Sequence, residues 1–476
     1  MQAHPDPKPS SEAQGEVFLY EKPVKIQSRR STGRYSSLRL AAMLALLGIY
    51  YLLPWFTWNG EPLVFLDLPH RRFHVLTMTL VPQDLILLTG ILLAAALTLF
   101  FFTTLAGRLW CGYACPQTVW TEAFIWFEHL IEGDRHQRLK LDKSPWNTEK
   151  VLRKGGKHFA WVAFSLLTGF TFVAYFVPAR ELFGDLLHGQ LSGWPAFWSL
   201  FYGFATWGNA GFMREQVCKY MCPYARFQSA MFDRDTLIIA YDEKRGEPRK
   251  TLAKKVGQPA GDCVDCSLCV QVCPVGIDIR KGLQYECIAC AACVDACNNV
   301  MDSVGKPRGL VHYTSSNHDA GKPYHILRPR AIGYGLVWLA VLVGVATLIL
   351  THSPLRFDVL RDRHALYREL VDGSLENVYV LKITNEDERP HHFKVDGQFQ
   401  NGPVATIVPN EFDVPPGATV AKTVSVRLPA ASEDEHERAE HAVATLQLNL
   451  TATDAPQLKR SRTARFLTGD PHENKH

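Results

Sequence analysis

Cys263-Val-Asp-Cys266-Ser-Leu-Cys269-Val-Gln-Val-Cys273-Pro274 is followed by Cys287-Ile-Ala-Cys290-Ala-Ala-Cys293-Val-Asp-Ala-Cys297, and this stretch decides how the chain is read. Each half carries cysteines at C-x-x-C-x-x-C-x-x-x-C spacing, the bacterial two-cluster ferredoxin pattern written twice. Three thiolates on one tight loop hold three irons of a cubane, and the remote fourth cysteine closes the other cubane. Cys263, Cys266, Cys269 and Cys297 are therefore expected to ligate one [4Fe–4S] cluster, and Cys273, Cys287, Cys290 and Cys293 the second. Two departures leave the ligand set intact: Asn298 stands where a second proline often sits, and thirteen residues separate Cys273 from Cys287. Structural zinc, the competing reading, pairs two C-x-x-C units across a longer gap.

Outward from this segment, all twelve cysteines of the 476-residue chain lie between Cys111 and Cys297. That clustering excludes a small secreted disulfide scaffold and points to metal or redox chemistry. A second repeat precedes the ferredoxin cysteines: Cys111-Gly-Tyr-Ala-Cys115-Pro116 and Cys218-Lys-Tyr-Met-Cys222-Pro223 both read C-x-Y-x-C-P. In a helix, cysteines four apart share one face, and the proline then turns the chain. Four thiols from two similar halves are expected to converge on one site. A soft metal such as Cu(I) suits thiolates; a reversible disulfide, or two unrelated helix ends with buried cysteines, remain open. His129, His136 and His158 lie nearby in sequence and read as solvated residues of a basic loop rather than as haem or copper ligands.

Five uncharged stretches reach the roughly 20 residues a bilayer requires: residues 40–58, 85–106, 159–179, 194–213 and 331–350. The positive-inside rule orients them. Lys22, Lys25, Arg29, Arg30 and Arg34 precede the first stretch, and Arg108, Arg135, Arg138, Lys140, Lys143, Lys150, Arg153, Lys154 and Lys157 fill the second loop. The first loop offers only Arg71 and Arg72, and the third only Arg180. The expected organisation is a cytoplasmic tail over 1–37 without a signal-peptide pattern, and a four-helix membrane domain over 38–213 with a cytoplasmic loop 107–158. A cytoplasmic ferredoxin-like domain over 214–330 and a fifth span over 331–350 follow. The last domain, over 355–470, is then periplasmic, and both C-x-Y-x-C-P motifs sit at the cytoplasmic membrane edge.

Past residue 350 the pattern changes to period-two alternation over 378–383, 392–395, 405–408, 419–428 and 442–451, broken by turn clusters such as Asn385-Glu-Asp-Glu388 and Pro415-Pro-Gly417. Without cysteines and at this length it reads as an immunoglobulin-like β-sandwich. The fold class is thus a polytopic α-helical membrane protein with a two-[4Fe–4S] insert and a C-terminal sandwich. A net charge of +4 is too small to argue for nucleic acid. No P-loop or dinucleotide fingerprint appears, so electrons enter from another protein or from a quinol.

Both C-x-Y-x-C-P motifs, the eight ferredoxin cysteines, Gly276-Ile-Asp-Ile-Arg280, Gln284-Tyr-Glu-Cys287 and Lys306-Pro-Arg-Gly309 together resemble the FixG-like cytochrome c oxidase accessory proteins, of the CcoG/RdxA kind. The resemblance covers nearly the whole chain. It implies a bacterial inner-membrane oxidoreductase that turns Cu(II) into Cu(I) during assembly of cbb3-type oxidase. Cys111, Cys115, Cys218 and Cys222 match the membrane-edge motif and are expected to be the catalytic copper site; the eight ferredoxin cysteines match the cluster ligands. The expected partners are membrane lipid, copper ions, copper chaperones or oxidase assembly factors, an electron donor the sequence does not name, and in one arrangement a second copy in a homodimer. Two other readings compete: a quinol-linked electron conduit to a periplasmic reductase, and a copper chaperone or scaffold without turnover.

Overall fold

The computed structural model describes residues 26–58, 61–69, 71–76, 78–80, 84–191, 193–351, 353–362, 367–387, 389–400, 402–428 and 443–468. Lys22 and Lys25 of the expected tail, Glu388 of the expected turn, Ala442 of the last expected strand and the end of the expected 355–470 domain lie outside these residues. The chain divides into two units, one formed by 1–62 with 95–338 and the other by 63–94 with 339–476.

In the first unit α1 (Arg34–Leu52) leads, and the end of α2 (Leu85–Ala106) runs into the short α3 (Leu109–Tyr113). Then come α4 (Pro116–Ile131), α5 (Arg135–Lys143), α6 (Thr148–Val173), α7 (Ala179–Leu187), α8 (Gly193–Thr206) and α9 (Pro223–Met231). Gly107 at φ +58 ends α2, where any Cβ would meet the Leu237 carbonyl oxygen at 2.4 Å. Between α8 and α9 the backbone widens into π-turns, Trp207–Met213 and Val217–Met221. Phe124, Trp161 and Ala210 form a small buried core where α4 and α6 meet the first π-turn. Backbones approach closely at Gly169, whose Cβ would lie 2.0 Å from the Ser199 carbonyl oxygen.

Among the described residues, three helices are long and apolar enough to cross a membrane: Arg34–Trp55, Leu85–Ala106 and Pro329–Leu350. Their large apolar side chains face outward, Leu85, Ile86, Leu92, Leu336 and Val343 among them. A soluble protein would not leave so much contiguous apolar surface bare. Two of the five expected spans fall short of this measure. α6 carries Lys150, Arg153, Lys154 and Lys157 in its first half, and α8 is fourteen residues long before its winding changes.

The ferredoxin-like part is closed by a two-stranded antiparallel sheet, Ile238–Tyr241 with Val311–Thr314. It is tied to α1 by an N-terminal cap supplied from far away in sequence. The buried Asp295 carboxylate accepts the backbone N–H of Ser36 (2.7 Å) and Tyr35 (3.3 Å), two of the free amides of the helix's first turn. Asn299 Nδ2 donates to the Thr32 carbonyl (2.7 Å), and the Arg29 N–H donates to the Gln271 carbonyl (2.8 Å).

The second unit is an antiparallel sandwich of strands 355–361, 368–369, 375–385, 391–399, 404–408, 411–414, 419–428, 443–452 and 459–467. Tyr379, Leu381, Ile383, Phe393, Val395, Val424, Val426, Leu448 and Phe466 fill its core. The five alternating segments of the sequence lie within or overlap five of these strands. The strand Lys459–Leu467 escapes sequence reading because its outward face is a run of Lys and Arg. The first loop is more than a connector: Val64–Asp67, Arg72–Val75 and Met78–Leu80 form a three-stranded sheet in this same unit, and Arg72 Nη2 donates to the Gly417 carbonyl (2.6 Å).

Candidate metal and electron-transfer site

Cys263, Cys266, Cys269 and Cys297 line one small cavity, with Tyr241, Leu268, Met301 and Val311 completing its wall. Cys273, Cys287, Cys290 and Cys293 line the next, among Val275, Ile277, Ile288 and Ala292; Cys269 borders both. The structure therefore gathers the eight cysteines in the two crossed sets expected from their spacing.

Two observations test whether a cubane suits these sets. The residues flanking Cys266 and Cys290 share an unusual backbone: Asp265, Ser267, Ala289 and Ala291 all lie at φ between +54 and +59. Non-glycine residues in this left-handed region cost roughly 1–2 kcal/mol each. The conformation turns successive N–H groups into a concave nest for an anion, as at many iron–sulfur sites. Further, no group of three or more His, Cys, Asp or Glu among the described residues is gathered closely enough for a single metal ion. Zinc, with Zn–S bonds of about 2.3 Å, would demand that closeness, whereas a cubane spreads its thiolates. Burial pushes the Cys273 and Cys297 thiols up to about 12 and Cys287 up to about 11, so these sulfurs ionise only opposite a cation.

The membrane-edge cysteines differ from the helical picture. Cys111 lies within α3, but Cys115 is extended (φ −61, ψ 129) and precedes Pro116 at the start of α4. Cys218 lies in the second π-turn, and Cys222 is again extended before Pro223 at the start of α9. Each pair thus straddles a break instead of stacking on one helix face, because the residue before proline avoids the helical region. The four thiols nonetheless come near one another. Burial first, then the neighbouring thiols, push Cys111 up to about 11 and Cys218 up to about 12. Burial likewise raises Cys115, against backbone amides of Thr118 and Gln117 at the N-terminus of α4. They form a neighbourhood rather than a preformed single-ion cage.

Several residues that sequence reasoning missed build this neighbourhood. Gln228, fully buried on α9, accepts from the Cys111 thiol at 3.3 Å. The Arg108 guanidinium, also buried, donates to the Tyr285 and Ala225 carbonyls, and its charge opposes the upward shift of Cys111, Cys218 and Cys287. Thr118 Oγ1 donates to the Cys111 carbonyl (2.6 Å). None of these is marked by motif or spacing. His136 is exposed, and His158 stacks on Phe212 and meets Trp161 edge-on; neither joins a ligand group among the described residues.

The two sites touch. Cys111 packs against the apolar group that contains Cys273, Ile288 and Cys290. A Cβ on Gly112 would stand 2.6 Å from the Ile288 carbonyl oxygen and 3.0 Å from Cys290 N, so only glycine permits this approach. Gly112→Ala is expected to push α3 off the 288–290 loop. Stopped-flow re-oxidation of the reduced protein should then slow by about tenfold or more, with iron content unchanged. An unaltered rate would show that this approach does not govern transfer.

Two crossed cysteine sets with amide nests, a four-thiol group packed against one of them, and three helices of membrane-spanning length define an iron–sulfur electron-transfer protein of the membrane type. Comparison with known proteins narrows that class. Residues 213–316 match the family described as a 4Fe-4S dicluster domain, 88–133 a 4Fe-4S binding domain, and 345–469 the immunoglobulin-like fold at the C-terminus of FixG. The chain is 39% identical over 433 residues to the nitrogen fixation protein FixG of Rhizobium meliloti, covering 82% of each chain. It is 37% identical over 456 residues to RdxA of Cereibacter sphaeroides (92% of this chain, 96% of that one) and 39% over 395 residues to RdxB of the same organism (79% and 82%). The chain belongs to the FixG/RdxA family.

Proposed function

We propose that this chain is a bacterial inner-membrane reductase that turns Cu(II) into Cu(I) at Cys111, Cys115, Cys218 and Cys222, serving assembly of a cbb3-type oxidase. The observation that carries this reading is the packing of Cys111 and Gly112 on the Cys287–Cys290 loop. Cys263, Cys266, Cys269 and Cys297 would hold one cubane and Cys273, Cys287, Cys290 and Cys293 the other. When bound, the cubanes supply single electrons. The four membrane-edge thiols do the rest. They bind soft Cu(I) in preference to Cu(II), so ligation itself favours the added electron. Each thiol that binds copper gives up a proton, and Arg108 stands by to balance the thiolate charge. Copper chaperones or oxidase assembly factors are the partners that would receive Cu(I).

The test is a Cu(II) titration of the reduced protein, following Cu(I) formation and cluster re-oxidation together. Substituting serine at Cys111, Cys115, Cys218 and Cys222 should abolish the copper response while leaving the clusters intact. If re-oxidation is unchanged in that variant, the copper site is elsewhere. A second reading is favoured by the 4Fe-4S family match over 88–133, where Cys111 and Cys115 are the only cysteines, and by the absence of a single-ion cage among the described residues. In it the four thiols hold a third cubane and the chain is an electron conduit. Iron analysis separates the two: about eight irons per chain for the reductase, about twelve for the conduit.

The proposed topology places the tail 1–37 and residues 214–330 in the cytoplasm and 355–470 in the periplasm, with all five stretches spanning. The close packing of α6 on α8 at Gly169 and Ser199 suits membrane helices. The first loop shares a unit with the sandwich, which fits two segments on the same side of the membrane. The sandwich stays outside whether three or five helices cross. A reporter active only outside the cytoplasm, fused after His476, is expected to work; activity only inside would overturn the orientation.

A further inference from the structure

A cavity of about 370 Å³ in the first unit lies where the segment before α1 meets α4 and the edge of the ferredoxin part. Arg29, Arg39, Trp126 and His129 line it, and its remaining wall includes Val272 and Pro274, the residues on either side of Cys273. It occupies the polar end of α1, a helix of membrane-spanning length. Beside it Trp126 and Leu130 expose 48% and 67% of their surface, an apolar approach for a lipid-soluble molecule.

Two buried polar atoms here lack hydrogen bonds: Arg39 Nε, a donor, and His129 Nδ1. Asp134 Oδ1 stands 3.7 Å from His129 Nδ1, close enough to steady an imidazolium but not to bond it. Arg39 is 3.8 Å from Glu122, also on the cavity wall. A guanidinium donor and an imidazole base in one cavity wall, beside the neighbours of a cluster cysteine, are the two kinds of group that the oxygens of a hydroquinone ring pair with. An anionic lipid headgroup would use the arginines and leave His129 idle.

We infer that this cavity is a quinol-oxidation site, in which a membrane benzoquinol or naphthoquinol binds between Arg39 and His129 against the Val272–Pro274 wall. The inference rests on a cluster being held at Cys273 and its partners, and not on copper as the final acceptor. The balance is simple. The quinol would lose two O–H protons and two electrons and leave as quinone; the two cubanes that the eight cysteines would hold supply the two one-electron acceptors. His129 takes one proton, its charge steadied by Asp134, and Glu122 is the lining carboxylate for the other. Burial first, with Arg138 beside it, holds His129 below the usual histidine range against the pull of Asp134, Glu128 and Glu122, so at pH 7 it is in the neutral form that can accept a proton.

The test uses intact, cluster-loaded protein in nanodiscs. A photoreactive azidoquinone should label peptides from 29–39 or 126–130, and decylubiquinone should compete with the label. In a second measurement the protein is reduced, freed of reductant and mixed with decylubiquinone, which reverses the proposed reaction. Cluster re-oxidation should saturate with quinone. His129→Gln should slow it by about 10²-fold or more, the usual weight of a positioned acid or base, with iron content unchanged. Ser37→Phe, which fills the cavity from an exposed position on α1, should abolish labelling. Labelling elsewhere, non-saturating re-oxidation equal in both variants, or competition by phosphatidylglycerol but not by quinone would each overturn the proposal. Since no copper is used, its failure leaves the reductase reading standing, and the reverse also holds.

Discussion

Replacing Cys297 by serine is expected to strip the iron of one cubane, about half of the roughly eight iron atoms per chain, and to leave the other in place. The reason is the crossing of the two cysteine runs. Cys297 sits four residues past Cys293 on the helix Ala292–Ser303, yet it lines the cavity of Cys263, Cys266 and Cys269. Cys273 conversely lines the cavity of the run that follows it. Pairs of substitutions therefore separate the crossed arrangement from a sequential one. Cys297→Ser with Cys266→Ser should lose no more iron than either alone, since both open the same cubane. Cys297→Ser with Cys290→Ser should lose nearly all of it. Iron and sulfide analysis with low-temperature paramagnetic resonance reads both outcomes. Equal depletion by Cys297→Ser and Cys290→Ser of one and the same signal would mean sequential ligation and would sink the assignment. Electron delivery should fall to background in every one of these variants if both cubanes take part.

The cluster cysteines were legible because their ligand spacing is a local property of two loops. The backbone that suits them was not: Asp265, Ser267, Ala289 and Ala291 occupy left-handed conformations with no glycine to announce them. The C-x-Y-x-C-P repeat was legible as a pair of similar sites, but the helical stacking inferred for it failed at Pro116 and Pro223, which force the preceding cysteine into an extended conformation. The charge pattern carried less than the fold uses. Arg108, Arg138, Lys150 and Lys157 were counted only as second-loop charges that orient the chain, and all four are buried. Burial of a charge depends on partners distant in sequence, such as the Tyr285 carbonyl for Arg108, the Ser28 carbonyl for Arg138 and Glu132 for Lys157 (3.0 Å). No local pattern encodes such pairings. The same holds for Asp295, which caps a helix some 260 residues earlier, and for the sheet in the first loop, whose strands are three or four residues long.

Glu128→Ala is expected to destabilise the first unit by about 3–5 kcal/mol, the cost of leaving a buried charge without its partner. Glu128 on α4 is 2% exposed and serves two guanidinium groups at once: Oε2 accepts from Arg138 Nη1 (2.8 Å) and Oε1 from Arg214 Nη2 (2.8 Å). Burial alone would raise its pKa, but Arg214 and Arg138 outweigh that and hold the carboxyl below the usual range. Its stabilising contribution is therefore present above the ordinary glutamate range and lost only as pH falls through the lowered value. Arg214 matters beyond its charge. It joins the two π-turns at φ +40, its Nε donates to the Gly211 carbonyl (2.9 Å), and its own carbonyl accepts from Gln117 Nε2 (3.2 Å). Four residues on stands Cys218. Removing the carboxylate should thus release the turn that presents Cys218, while the ferredoxin loops, held by their own contacts, keep their iron. Glu128→Gln separates charge from shape: it preserves the side-chain volume, so a loss of copper response with full iron content would place the cause in the ion pair. The control is Arg153→Ala, which removes the exposed Glu149–Arg153 pair and should change stability by no more than about 0.5 kcal/mol. If thermal or denaturant unfolding gave Glu128→Ala and Arg153→Ala the same small shift, the buried network would be contributing nothing that a surface pair does not. The placement of Cys218 would then have to rest on the π-turns alone.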